Sequence, residues 1–178
     1  MKKLIGRGLF SKAYQIADDR VELVSVCMSK EAIAMFAQGN KFAPIIERVD
    51  CTDNGESVYH MPLYPKVTAP KKQLNQKAYS IYMELRQFSC RSDMNYYRFV
   101  ELVEGSNLDD ETKENIISFA GDVSNGIDPA KMGFEISPRN ITITPEGDLI
   151  LLDVFFCRGA VIRARTEKEK KARRGWGY

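Results

Sequence analysis

Phe134-Glu-Ile-Ser-Pro-Arg-Asn-Ile-Thr-Ile-Thr-Pro-Glu-Gly-Asp-Leu-Ile-Leu-Leu-Asp-Val-Phe-Phe156 is the stretch on which the reading of this chain turns. Two β-rich runs, Asn140-Ile-Thr-Ile-Thr144 and Asp148-Leu-Ile-Leu-Leu-Asp153, flank Pro145-Glu-Gly147, which has the chemistry of a tight turn. A hairpin is predicted, and it would bring Asn140, at the start of one strand, near Asp153, at the end of the other. Glu135 stands five residues before Asn140, and Asp153 thirteen after it. Oxygen-bearing side chains facing one space suit a hard divalent cation, which prefers oxygen ligands and commonly sits beside substrate phosphates. Taken singly, Asn140 reads equally well as a strand cap and Asp153 as a turn residue.

The chain around this hairpin has 178 residues, 44% of them apolar and 28% charged, which is ordinary for a globular protein with a real core. No apolar run approaches the length of about 20 residues that a membrane span needs, so no membrane association is expected. Met1-Lys-Lys-Leu-Ile-Gly6 is not expected to act as a signal peptide. Cys27, Cys51, Cys90 and Cys157 are widely separated and form no Cys-x-x-Cys pair. They are expected to be reduced thiols of a cytoplasmic protein, buried as small apolar residues. The net charge of +2 conceals an asymmetry: from Arg158 onward eight Lys/Arg face two Glu, leaving the rest of the chain at −4.

Upstream, Leu4-Ile-Gly-Arg-Gly-Leu-Phe-Ser-Lys-Ala-Tyr14 is a Gly-x-Gly turn among apolar residues, and Arg20–Val26 follows as a further strand. Gly6 and Gly8 allow the backbone to approach a phosphate closely; an ordinary hairpin turn uses glycine as readily. Arg7 at the tip and Lys12 beyond it are the nearby cations, and alternation with Ala13 turns Lys12 towards solvent. Ser29–Gln38 is predicted as a short helix with Ser29 as N-cap, an apolar face of Ile33, Phe36 and Ala37, and a stop at Gly39-Asn40. Two strands, 45–49 and 57–61, are joined by Thr52-Asp-Asn-Gly55. Met61-Pro-Leu-Tyr64 is the candidate hinge. His60, the sole histidine, has a structural or surface role here. From Lys71 the periodicity becomes helical, with helices expected over 73–88, 96–102 and 109–123.

This order of elements, ending in Glu135, Asn140 and Leu151-Leu-Asp153, resembles the protein-kinase fold. In that family a Gly-rich loop covers the ATP phosphates. An Asp five residues before an Asn is the base, and that Asn with a later Asp holds magnesium. More narrowly, Gly8–Tyr14, the short helix and Phe134–Phe156 look like the small early serine/threonine kinases of short-tailed lytic bacteriophages. The resemblance covers roughly residues 5 to 157. It implies an α+β, reduced bilobal kinase-like fold: a β-rich N-lobe over residues 1–64 and a truncated helical C-lobe with the catalytic hairpin over 65–157. It also implies ATP and Mg²⁺ as ligands and host proteins as substrates or targets, in the cytoplasm of the infected cell. Glu135, Asn140 and Asp153 become the catalytic group, with Asn140 and Asp153 on the metal. Gly6, Arg7, Gly8, Phe10, Ser11, Lys12, Met61 and Leu63 become the nucleotide-binding set.

Departures from the family pattern are specific. Glu135 replaces the usual Asp, Gly133-Phe134 precedes it, and Val154-Phe155 follows Asp153. The strand 21–26 that should supply a phosphate-binding lysine has none. The twenty-five residues after Asp153 leave no room for a full activation segment. These features support an alternative, a catalytically inactive pseudokinase that binds and inhibits a host protein. Arg139, beside Asn140, is a further candidate for a phosphate or a substrate backbone. The basic tail 158–178 reads as a separate region. Glu167 with Lys171 and Glu169 with Arg173 favour some helix. The positive cluster is either a solvated surface or a contact for an acidic protein or nucleic acid, with Trp176 and Tyr178 as stacking surfaces.

Overall fold

The computed structural model describes residues 2–174 and, within the last helix, side chains as far as residue 167. The architecture is α+β. Five strands, β1 (Lys3–Arg7), β2 (Ser11–Gln15), β3 (Arg20–Ser25), β4 (Glu47–Cys51) and β5 (Ser57–Pro62), form one antiparallel sheet in the order β1-β2-β3-β5-β4. Helix α1 (Met28–Phe36) lies between β3 and β4 in sequence, and it packs against α5 (Asp110–Ser124). Helices α2 (Pro70–Gln73), α3 (Gln76–Arg86) and α4 (Tyr96–Glu104) precede α5. Two small ladders complete the fold: β6 (Met132–Phe134) with β9 (Phe155–Cys157), and β7 (Ile141–Ile143) with β8 (Leu149–Leu151). Helix α6 (Arg158–Arg174) follows β9 without a break.

The local chemistry explains most of these boundaries. The predicted turn at 52–55 closes through Gly55 N–H donating to the Thr52 carbonyl at 2.8 Å, and Thr52 N–H donates to Glu56 across the strand ends. Asn75, Asn95 and Asp109 cap α3, α4 and α5, each side chain accepting a backbone N–H from the first turn. Edge strand β4 is exposed along its whole length and carries Glu47, Arg48 and Asp50, which discourages pairing with a further strand. It starts two residues later than the expected 45–49, because Pro44 and Ile46 turn inward before pairing begins and a register shift falls between Arg48 and Asp50.

Several expectations need correction. Helix α1 starts at Met28 with Cys27, not Ser29, in the N-cap position, and it ends at Phe36. Cys27 is extended and its side chain makes no capping bond, while Ser29 is buried inside the first turn. Phe36 is 46% exposed, so the buried face of α1 runs through Lys30, Ile33 and Ala37 instead. Cys51 and Cys90 are exposed, and Cys27 and Cys157 half-buried; all four are free, as expected, but none is a fully buried core residue. The basic tail is continuous with the fold as α6, anchored by the Arg158 guanidinium, which donates to the carbonyls of Ser92 at 2.6 Å and Ala130 at 3.3 Å. Trp176, Tyr178 and the side chains of residues 168–174 lie outside the described residues. Among the described residues, no helix is long and apolar enough to cross a membrane.

The buried apolar residues form one continuous cluster from Leu23 and Tyr59 of the sheet, through Ile33 of α1, to Phe99, Phe119 and Phe155. At its centre Phe99, Phe134 and Phe155 meet with ring centroids 4.8 to 5.4 Å apart. This aromatic knot fixes the β6–β9 ladder, and with it both ends of the 134–156 stretch. Glycine at 133 leaves room for the ring of Phe156, its partner across the ladder, which a Cβ would approach to 2.6 Å unless the ring moved.

Candidate functional site

The 140–153 hairpin forms as expected, with Ile141 opposite Leu151 and Ile143 opposite Leu149. Leu152 N–H donates to the Asn140 carbonyl at 2.8 Å, and Asp153 N–H is 3.4 Å from the same oxygen. The two ends of the hairpin are thus clamped together. Glu135 N–H donates to the Val154 carbonyl at 2.9 Å, which brings the third residue to the same place. The side chain of Asn140 donates its Nδ2 to the Glu135 carbonyl at 3.2 Å. That bond ties the Asn140 amide to the loop through its nitrogen and leaves its oxygen out of the bond.

Above these residues lies the Gly-x-Gly turn. Gly8 N–H donates to the Ser11 carbonyl at 2.8 Å, closing a four-residue turn between β1 and β2. Ser25, at the end of β3, ties the turn down: its hydroxyl is 2.7 Å from that of Ser11 and 3.2 Å from the Phe10 carbonyl. A Cβ on Gly6 would meet Ala13 at an ordinary 3.6 Å, and one on Gly8 the Ser11 carbonyl at 3.8 Å. Local packing therefore does not demand glycine at either position; what the missing side chains do is leave the space beneath the turn open.

Two neighbouring cavities lie under this turn and share part of their walls. One, of about 250 Å³, is lined by Gly8, Leu9, Phe10, Ser11 and Cys27 on the sheet side, and by Glu135, Asn140, Asp153 and Phe156 on the other. The second, of about 280 Å³, is mainly apolar and lies between the sheet (Ile5, Ala13, Val21, Leu23) and the segment Met61–Tyr64. Gly6, Arg7, Gly8, Ser11, Met61 and Leu63 all line it. Gly8, Ser11 and Asp153 belong to both walls. Of the residues expected at the site, Lys12 and Arg139 stand apart. Lys12 is exposed and lines a depression on the other side of the turn with Val24 and Glu56, because the alternation of β2 sends Ala13 inward and Lys12 out. Arg139 is exposed and lines neither cavity of the cleft.

A cation does occupy the cleft, and it comes from a helix. Lys30 of α1 is buried, and its Nζ donates to the Leu152 carbonyl and pairs with Asp153 Oδ1 at 3.0 Å. Burying an ammonium is costly unless it is paired and hydrogen-bonded, and both conditions are met. The Lys30 side chain is 8% exposed and that of Asp153 55%. The pair is therefore open to water on the acid side, so it adds little to stability; its importance is where it puts the charge. Gly126 makes the placement possible. A Cβ there would come within 2.7 Å of Ala32 Cβ, so glycine lets α1 lie close enough to the end of α5 for Lys30 to reach over the hairpin.

Strand β3 carries no lysine. The helix held the signal: Lys30 precedes Ile33 by three residues and Ala37 by seven, so it belongs to the apolar face of α1. A lysine on a buried helix face has to find a partner. Val161 and Arg165 of α6 also line the polar cavity and were not expected, since the tail read as a separate region.

The residues present fit a magnesium–nucleotide complex. Asn140 and the half-open Asp153 carboxylate line one cavity, and their side-chain oxygens are the two groups there that could ligate the ion. Among the described residues no cluster of three or more His, Cys, Asp or Glu could hold a metal by itself. Two protein oxygens suit Mg²⁺, which keeps water and substrate phosphate in its remaining positions. No protein-family model matches the chain, and no curated protein matches it.

Proposed function

We propose that the chain is a small kinase-like phosphotransferase that binds ATP with magnesium in the cleft and transfers the γ-phosphate to a hydroxyl group, with serine or threonine side chains of host proteins as the acceptor class. The observation that carries this reading is the Lys30–Asp153 pair beneath the Gly-x-Gly turn, 3.0 Å between Nζ and Oδ1. It supplies from α1 the phosphate-binding charge that β3 lacks. The order of elements supports the same reading: three strands, a helix, two strands, a connecting segment, helices and a polar hairpin are what the resemblance to the kinase fold implies.

Each residue then has a physical role. The apolar cavity against Met61 and Leu63 takes the base, and the main chain of the Gly8–Ser11 turn covers the phosphates. Lys30 holds a phosphate oxygen, and Asn140 and Asp153 hold the magnesium ion, which when bound neutralises the charge of the phosphates. Glu135, half-buried in the wall of the same cavity, accepts the proton of the acceptor hydroxyl or orients it. A carboxylate is retained at the base position, and the extra methylene relative to Asp moves it towards the cavity by about one bond length.

A second reading, a nucleotide-binding module that engages a partner without transfer, is favoured by one feature. Helix α6 places Val161 and Arg165 in the wall of the cavity from which an acceptor would approach. Radiolabelled ATP and magnesium, incubated with the full-length protein and a bacterial lysate, separate the two. Transfer by the wild type and its loss in Glu135→Gln, with ATP binding unchanged, supports the phosphotransferase. Binding without transfer by the wild type leaves the binding module.

A further inference from the structure

We propose that Arg165 of α6 binds the terminal phosphate of the nucleotide, so that α6 is a wall of the phosphate site. This rests on the nucleotide reading of the cleft and extends it to a region of the chain that has no counterpart in that reading.

The two cavities have different chemistry and meet at Gly8, Ser11 and Asp153. A base in the apolar cavity directs the phosphate chain past Lys30 and Asp153 into the polar one. The terminal phosphate is the group that travels furthest, so it lies among Glu135, Asn140, Phe156, Val161 and Arg165. Glu135 and Asp153 put two carboxylates on that wall, and such a wall repels a phosphate unless cations offset it. Lys30 lines the apolar cavity, together with Arg7 and Lys66, and its charge is already shared with Asp153. Arg165 is the cation that lines the polar cavity, and it makes no ion pair among the described residues. Its planar guanidinium suits two oxygens of a terminal phosphate.

The helix that carries it is anchored at its start. The Arg158 guanidinium holds the first turn of α6 to the carbonyls of Ser92 and Ala130. Val161 and Arg165, four residues apart, then fall on the same helix face, towards the cavity. Arg163 and Arg165, two residues apart on the same helix, are both exposed, but only Arg165 lines the cavity.

Equilibrium binding of ATP and of ADP, each with magnesium, to the full-length wild type, Arg165→Ala and Arg163→Ala tests the proposal. Arg165→Ala is expected to weaken ATP about tenfold or more, the loss typical of a charge-assisted hydrogen bond, while ADP changes by less than about twofold. Arg163→Ala should leave both affinities in place. Equal loss of ATP and ADP in Arg165→Ala, no loss, or tighter ATP binding would overturn the assignment, the last by showing that α6 obstructs the site. Equal weakening by Arg163→Ala would also overturn it, by reducing the effect to the general charge of the helix. A wild type that binds neither nucleotide would remove the nucleotide reading itself, an outcome distinct from any failure confined to Arg165.

Discussion

Lys30 is where the physical chemistry of a single residue decides most. Its ammonium is removed from water, and it is tolerated because a backbone carbonyl and a carboxylate receive it. Tyr82 shows the opposite case. Its ring is buried against the core, and its hydroxyl finds no hydrogen-bond partner among the described residues. An unsatisfied buried hydroxyl is a net cost, so Tyr82→Phe should leave stability unchanged or raise it by up to about 1 kcal/mol in urea denaturation. A loss of more than that would mean that the hydroxyl is bonded. At this scale Asn140, Asp153 and Glu135 were legible in the sequence because a fixed offset within one hairpin carries them together. Lys30 was not, because it reaches the hairpin across more than a hundred residues of chain, 122 in separation. Only the packing of α1 on α5 determines that contact.

The elements form where local signals are strong. The caps at Asn75, Asn95 and Asp109 set three helix starts, all within three residues of the expected positions. The start of α1 is different: no side chain caps it, and tertiary packing sets its first residue. Asp109 shows what a cap does to a titration. Its carboxylate accepts the N–H and the hydroxyl of Thr112, and these bonds, with Lys77 nearby, hold its pKa below the ordinary carboxylate value. A depressed folded-state pKa means that the unfolded chain takes up the proton first. The stabilisation is therefore complete above the unfolded value, about 4, and it is lost as the pH falls through the folded one. The advantage of the wild type over Asp109→Ala in thermal denaturation should be full at neutral pH and shrink in acid; an advantage that grew below pH 4 would contradict the cap. The start of strand β4 and the attachment of the tail helix were read less well, since neither carries a local start signal. Pairing register fixes the first, and the docking of Arg158 fixes the second.

At the scale of the molecule, one continuous core holds the sheet, α1 and the hairpin in fixed relation, and this is what makes a cleft of separate segments possible. Phe155 is its keystone, in contact with Phe99, Phe119 and Phe134 and directly beyond Asp153-Val154 in the chain. Phe155→Ala should cost about 3–5 kcal/mol in chemical denaturation, the usual range for a buried aromatic; a cost under about 1 kcal/mol would mean that the knot is not what supports the site. The coarse α+β class was legible because the hydrophobic period changes from two to 3.6 near residue 70. The composition of the cleft was legible only in part, because Lys30 and Arg165 enter it from helices that sequence reading assigned to packing and to a tail.

The central claim is that the cleft binds a magnesium–nucleotide complex through Lys30. Thermal denaturation of the full-length protein with and without ATP and magnesium, wild type beside Lys30→Met, tests it most directly. At a ligand concentration of about 100 times Kd the wild type should gain about 2.7 kcal/mol, seen as a higher Tm, and Lys30→Met should remain folded but show little or no gain at the same concentration. A wild type that ATP and magnesium do not stabilise, or a Lys30→Met protein stabilised as much as the wild type, would contradict it.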